Sequence, residues 1–170
     1  MSIRILLAML CGCVPLQAVN ATPIGSVKYA DLASINGMPA LCLPKSETAP
    51  FAVGWATLYD SYAKDVDAWQ VVLKEQAAPV VLKPGECFAY GTVPEGYMLE
   101  KGTAGKKPLQ LEVGKTYAFR LNSASRSVDA YFVVFCITSE GEGRFVKYPP
   151  LSSGEAVPSC DGRNGNRISR

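Results

Sequence analysis

Two runs late in the chain decide the fold: Thr116-Tyr117-Ala118-Phe119-Arg120-Leu121 and Ala130-Tyr131-Phe132-Val133-Val134-Phe135-Cys136-Ile137-Thr138. In the first, Tyr117, Phe119 and Leu121 occupy every second position, which places all three side chains on one face of a strand. The second is apolar almost throughout, the pattern of a central strand covered on both faces. The segment Ser123-Ala124-Ser125-Arg126-Ser127 between them is short and polar, so the two strands are expected to pair as an antiparallel hairpin. Gly141-Glu142-Gly143 marks a second turn leading to a strand at Arg144 to Tyr148. Pro149-Pro150 ends it, because proline cannot donate to a ladder.

Working towards the N-terminus, further short runs rich in β-branched and aromatic residues occur at Leu109 to Val113, Cys87 to Tyr90, Val66 to Leu73, Val53 to Tyr59 and Ala40 to Leu43. Pro, Gly, Ser and Asp clusters separate them, and no window sustains helical spacing for three turns. Such spacing predicts an all-β antiparallel sandwich or barrel. The hydrophobic share of 48% over 170 residues suits one domain rather than two. Leu111-x-x-Gly114-x-x-Tyr117 resembles the tyrosine corner of immunoglobulin-like and fibronectin type III sandwiches, in which a tyrosine opening a late strand hydrogen-bonds back to the preceding loop. Trp55 lies on an earlier strand, where such sandwiches bury a tryptophan. The expected fold is therefore a single immunoglobulin/fibronectin-III-like antiparallel β-sandwich over residues 22–150, with a polar C-terminal tail at 151–170.

The first residues read as a targeting segment. Met1 to Arg4 form a short positive region and Ile5 to Leu16 a twelve-residue apolar one, too short to cross a bilayer core of roughly 30 Å as a helix. Two processing sites compete. Leu10-Cys11-Gly12-Cys13 resembles the lipobox of bacterial lipoproteins, which would remove residues 1–12 and leave Cys13 lipidated. Val19-Asn20-Ala21 is a small-x-small cleavage pattern that would remove a signal peptide of residues 1–21. Both imply export, to the periplasm or to an outer-membrane anchor.

Cysteine usage agrees with export. Beyond Cys11 and Cys13 remain Cys42, Cys87, Cys136 and Cys160, an even number with no C-x-x-C pair. Two structural disulfides in an oxidising compartment are expected, stapling the domain. Of the three connectivities open to four cysteines, sequence selects none, although Cys160 is expected to fasten the tail to a strand. Cys42 and Cys136, within strands, are expected to cost more on replacement than Cys160.

Charge and residue inventory exclude much chemistry. Seventeen Lys and Arg stand against fifteen Asp and Glu, a net charge of +2, so no basic stripe is available to neutralise phosphates. The chain has no histidine, which removes Ser-His-Asp and Cys-His catalysis and the commonest zinc and iron ligand. Gly114-Lys115-Thr116 lacks the earlier glycine of a phosphate loop and leads into a strand, so it is a turn. Gly102 to Lys107 has the wrong glycine spacing and is a basic loop, and Asp65 with Asp67 reads as a solvated strand edge. Asn20-Ala21-Thr22, a glycosylation-type triplet, falls on the cleavage site. No metal or organic cofactor is expected, nor catalysis; binding is the better class. Tyrosines and tryptophans exceed what a small core needs, and such side chains anchor protein interfaces. Tyr62, Trp69 and Tyr97, with the loop from Pro94 to Lys107, are the candidate partner contacts.

Taken together, an apolar leader, then Asn36-Gly37-x-x-Ala40-Leu41-Cys42, Asp67-Ala68-Trp69-Gln70-Val71, Leu82-Lys83-Pro84-Gly85-Glu86-Cys87 with Tyr90-Gly91, Leu111-x-x-Gly114-x-x-Tyr117, and Asp129-Ala130-Tyr131-Phe132 to Phe135-Cys136-Ile137, resemble the family of periplasmic immunity lipoproteins of bacterial type VI secretion systems. The resemblance spans most of Asn36 to Tyr148. It implies a small exported protein that binds a cognate antibacterial effector in the periplasm and blocks it. The rival reading is a structural or accessory envelope protein, an adhesin or pilus-type sandwich subunit or chaperone, that pairs with its partner through an edge strand. A carboxylate-only enzyme acting on glycan is a third. An uncovered apolar edge strand would favour the rival, and a compact patch of Tyr, Trp and Arg would favour immunity.

Overall fold

The computed structural model describes residues 25–63, 68–100, 109–138, 145–151 and 156–160. The leader with Cys13, the Asp65 and Asp67 pair, the basic loop Gly102 to Lys107, the turn at 141–143 and the chain after Cys160 lie outside these residues. Among the described residues all regular structure is strand: β1 (Val27–Tyr29), β2 (Asp31–Ile35), β3 (Met38–Cys42), β4 (Phe51–Asp60), β5 (Trp69–Leu73), β6 (Val81–Leu82), β7 (Cys87–Ala89), β8 (Tyr97–Leu99), β9 (Thr116–Ser123), β10 (Ala130–Ile137) and β11 (Phe145–Lys147).

The large sheet runs β1-β10-β9-β4-β5-β8, with β11 continuing the β10 edge beyond β1 and β6 pairing the start of β4. β9 and β10 form the expected antiparallel hairpin, Asn122 opposite Ala130 and Thr116 opposite Cys136. β10 and β11 also pair antiparallel, whereas β1 lies parallel to β10. The small sheet, β2-β3-β7, packs over the other face of the large one. β2 and β3 are joined by Asn36-Gly37, both at positive φ (52° and 75°) with Ile35 opposite Met38. That is the left-handed two-residue turn whose twist matches a hairpin, and Asn followed by Gly is the pair that adopts it with least strain.

Alternation sorts the side chains. Tyr117, Phe119 and Leu121 of β9, Tyr131, Val133, Phe135 and Ile137 of β10, and Ala56 and Leu58 of β4 form the inner layer. They meet Leu41 and Phe88 of the small sheet. Aromatic rings bridge the sheets: Trp69 packs edge-on to Phe119 (6.0 Å between centroids) and lies 6.5 Å from Phe88, which lies 6.4 Å from Tyr97. Such contacts add roughly 1 kcal/mol each beyond the area they bury.

Two expectations are corrected. Leu109 to Val113 is not a strand. Its polar groups are taken up by side chains instead: the carbonyl of Leu109 accepts Tyr90 Oη–H (3.0 Å), that of Gln110 accepts Tyr117 Oη–H (3.2 Å), and Glu112 N–H donates to Tyr117 Oη (2.8 Å). This is the geometry of a tyrosine corner. Secondly, the buried tryptophan is Trp69, 9% exposed, and not Trp55. Leu58, opposite Trp69 on β4, points inward; Trp55, three residues earlier and next to a bulge, falls on the outward parity.

The two disulfides are Cys42–Cys87 and Cys136–Cys160. The first joins directly opposed positions of β3 and β7 within the small sheet, unlike the inter-sheet bridge of antibody domains. The second ties the C-terminal segment to the outer face of β10, as expected for Cys160.

Candidate protein-binding surface

The outer face of the large sheet is built by strand parity. With Tyr117, Phe119 and Leu121 turned inward, Arg120 of β9 must turn outward. Register gives its lateral neighbours, Thr57 of β4 on one side and Phe132 of β10 on the other. In the row above, Trp55 lies between Val72 and Asn122; in the row below, Tyr59 stands beside Ala118, which stands beside Val134. Trp55, Arg120 and Phe132 are partly buried and Tyr59 is 40% exposed. The result is a patch of large side chains centred on one guanidinium.

That guanidinium is positioned. Arg120 Nε donates to Asn122 Oδ1 (3.1 Å), and Asn122, 3% exposed, donates its Nδ2 to the carbonyl of Ser127 (2.9 Å). Among the described residues no carboxylate forms an ion pair with Arg120, Lys45, Lys74 or Lys83, whereas Lys28 is compensated by Glu47 (2.7 Å), Lys115 by Glu112 and Asp60 (3.1 and 3.4 Å), Lys147 by Asp31 (2.8 Å) and Arg126 by Asp129 (3.4 Å).

The lower border of the patch is closed by the C-terminal segment. Tyr62 Oη donates to the carbonyl of Val157, Thr116 Oγ1 donates to that of Pro158 (3.0 Å), and Cys160 is bonded to Cys136. An open cleft of about 340 Å³ lies there between Asp60, Tyr62, Lys115, Thr116 and Cys160. A second, of about 320 Å³, opens between Lys28, Glu47, Ser125 and Tyr131. In both, the charges neutralise one another: the hydrogen bond to Glu47 raises the Lys28 pKa above its usual value and that to Glu112 raises the Lys115 pKa. Among the described residues no group of three His, Cys, Asp or Glu could hold a metal.

The candidate contacts fare differently. Tyr62 is half exposed and borders the patch, with its hydroxyl engaged by the C-terminal segment. Trp69 and Tyr97 are corrected to core residues. Trp69 fills the space between the sheets, and Tyr97, 3% exposed, donates its hydroxyl to the carbonyl of Val53 (2.5 Å) and accepts Val80 N–H (3.0 Å). Burial raises the Tyr97 pKa. The patch residues Trp55, Arg120 and Phe132 were missed, although strict alternation from Tyr117, Phe119 and Leu121 already points Arg120 outward.

No family model, no curated protein and no solved structure matches the chain.

Proposed function

We propose that this chain is an exported immunity protein that binds a cognate type VI effector stoichiometrically and blocks it in the periplasm, without turnover of its own. The observation that carries this reading is the compact outward patch of Trp55, Tyr59, Arg120 and Phe132. Trp, Tyr and Arg dominate the energetic centres of protein interfaces, because each combines a large contact area with polar or charged complementarity. The scaffold beneath is rigid: eight strands in one sheet and two disulfides. A preorganised surface loses little entropy on binding an interface of roughly 1,200 to 2,000 Å². The disulfides support an oxidising compartment, and the Tyr117 corner supports an immunoglobulin-like reading of the sandwich. Cys13 lipidation and cleavage after Ala21 are separated by the mass of the mature chain.

Edge pairing, the mode of the structural rival, has less to support it. Among the described residues the strands at the borders of the large sheet, β1, β8 and β11, are three residues long. Short edges are poor templates for an added strand.

The experiment is co-expression with the toxin-like product encoded beside this gene, directed to the periplasm. The proposal expects a co-purifying complex and restored growth. If the exported chain neither co-purifies with that product nor protects the cells, the immunity reading falls and the structural one takes its place.

A further inference from the structure

We infer that the outer-face patch receives an acidic side chain of its protein partner, with Arg120 as the carboxylate receptor and the aromatic residues around it as the collar that excludes water. This rests on the reading of that face as the partner's landing site and adds the chemistry it selects.

Charge complementarity selects the occupant. A guanidinium has five N–H donors and no acceptor. In Arg120 the Nε–H is used internally, on Asn122 Oδ1, and that acceptor is itself fixed by the carbonyl of Ser127. The two terminal nitrogens make no hydrogen bond to another described residue. Holding Nε fixes the plane of the fork before any partner arrives, so less rotamer freedom is lost on engagement. A planar fork of this kind matches a carboxylate in two parallel hydrogen bonds, a pairing shorter and stronger than a neutral one.

The surroundings raise the selectivity. Phe132 and Thr57 flank Arg120 in its row, and Trp55 and Tyr59 stand in the rows above and below. A partner seated on these groups strips water from the pair, so Coulomb attraction is screened less there than at an open surface. A neutral or basic group set down in the same place would leave the guanidinium desolvated and uncompensated, which rejects it. Lys115 and Arg126 lack this arrangement, because Lys115 lies between Asp60 and Glu112 and Arg126 beside Asp129.

The test needs no identified toxin. The mature, disulfide-bonded chain labelled with nitrogen-15 is titrated with N-acetyl-Gly-Glu-Gly-amide and, at equal ionic strength, with its Gln counterpart. The Arg120 Nε–Hε and Trp55 indole resonances are expected to shift saturably with the Glu peptide, with affinity at least about tenfold above the Gln peptide, the ratio for one charge-assisted hydrogen bond. Arg120→Gln removes the difference, and Arg120→Lys, which keeps the charge but not the fork, restores only part of it. Equal shifts with both peptides, or Glu-dependent shifts that persist in Arg120→Gln, overturn the assignment. A toxin complex formed by a chain whose peptides fail to discriminate would sink this inference and leave the immunity reading standing. Discrimination without a toxin complex would do the reverse.

Discussion

Tyr117 Oη accepts the backbone N–H of Glu112 at 2.8 Å and so fixes the loop that enters β9. The same hydroxyl donates to the carbonyl of Gln110, and the ring stacks on Phe135 with centroids 5.9 Å apart. Tyr117→Phe keeps the stack and orphans both backbone groups. It is expected to lower stability by about 1 to 2 kcal/mol, read as a drop in urea midpoint at unchanged slope. A midpoint equal to wild type would show that the corner contributes nothing to the fold.

Thiol titration of the denatured, non-reduced protein should find Cys42, Cys87, Cys136 and Cys160 all oxidised. Because Cys136 and Cys160 share one bond, replacing either by Ala breaks the same closure. The shared bond narrows the difference expected from Cys136 lying within a strand and Cys160 in a tail. Each replacement should cost about 3 kcal/mol in the chain-entropy account, and loss of Cys42–Cys87, which closes the longer loop, slightly more. Free thiols in the wild type would contradict the pairing.

Gly54 lies in the β4 bulge, where an added Cβ would come within 2.9 Å of Ala124 Cα and of the Ser123 carbonyl oxygen. Both are backbone atoms, at the end of β9 and the start of its connection to β10, and cannot rotate away. Gly54→Ala is expected to cost roughly 1 to 3 kcal/mol by thermal or urea unfolding. A neutral effect would mean that the bulge yields.

The alkaline limb of stability has a defined sign. Burial raises the pKa of Tyr90, Tyr97, Tyr117 and Tyr131 in the folded chain above 10.0. Above that value the unfolded chain ionises first and binds fewer protons, so stability falls as pH rises through the window between the unfolded and folded values. Ultraviolet titration of phenolate should therefore show these four ionising late, with unfolding. Reversible ionisation of all tyrosines near pH 10 in folded protein would contradict their burial.

Much of the fold was legible because period two is a strong local signal. β9 and β10 announce themselves, and the parity of Tyr117, Phe119 and Leu121 held. The misses have physical causes. β2 was missed, although Asn36-Gly37 is the pair that closes its hairpin with β3. β6 and β8 are two and three residues long, too short for a pattern to show. The two tryptophans exchanged roles because parity along β4 depends on a one-residue bulge that sequence does not display. For the same reason the outward-facing patch, gathered from β4, β9 and β10, could not be assembled before the register was known.

The proposed immunity role requires the outer face to be the surface that engages the toxin. Isothermal titration of that toxin into the wild-type chain and into Trp55→Ala, a partly buried position outside the core, tests it most directly. The expected result is one-to-one binding by wild type and affinity reduced by at least about thirtyfold in Trp55→Ala, the loss of about 2 kcal/mol that marks an interface anchor, with unfolding midpoints alike. Undiminished binding by Trp55→Ala, or no binding by wild type, would contradict it.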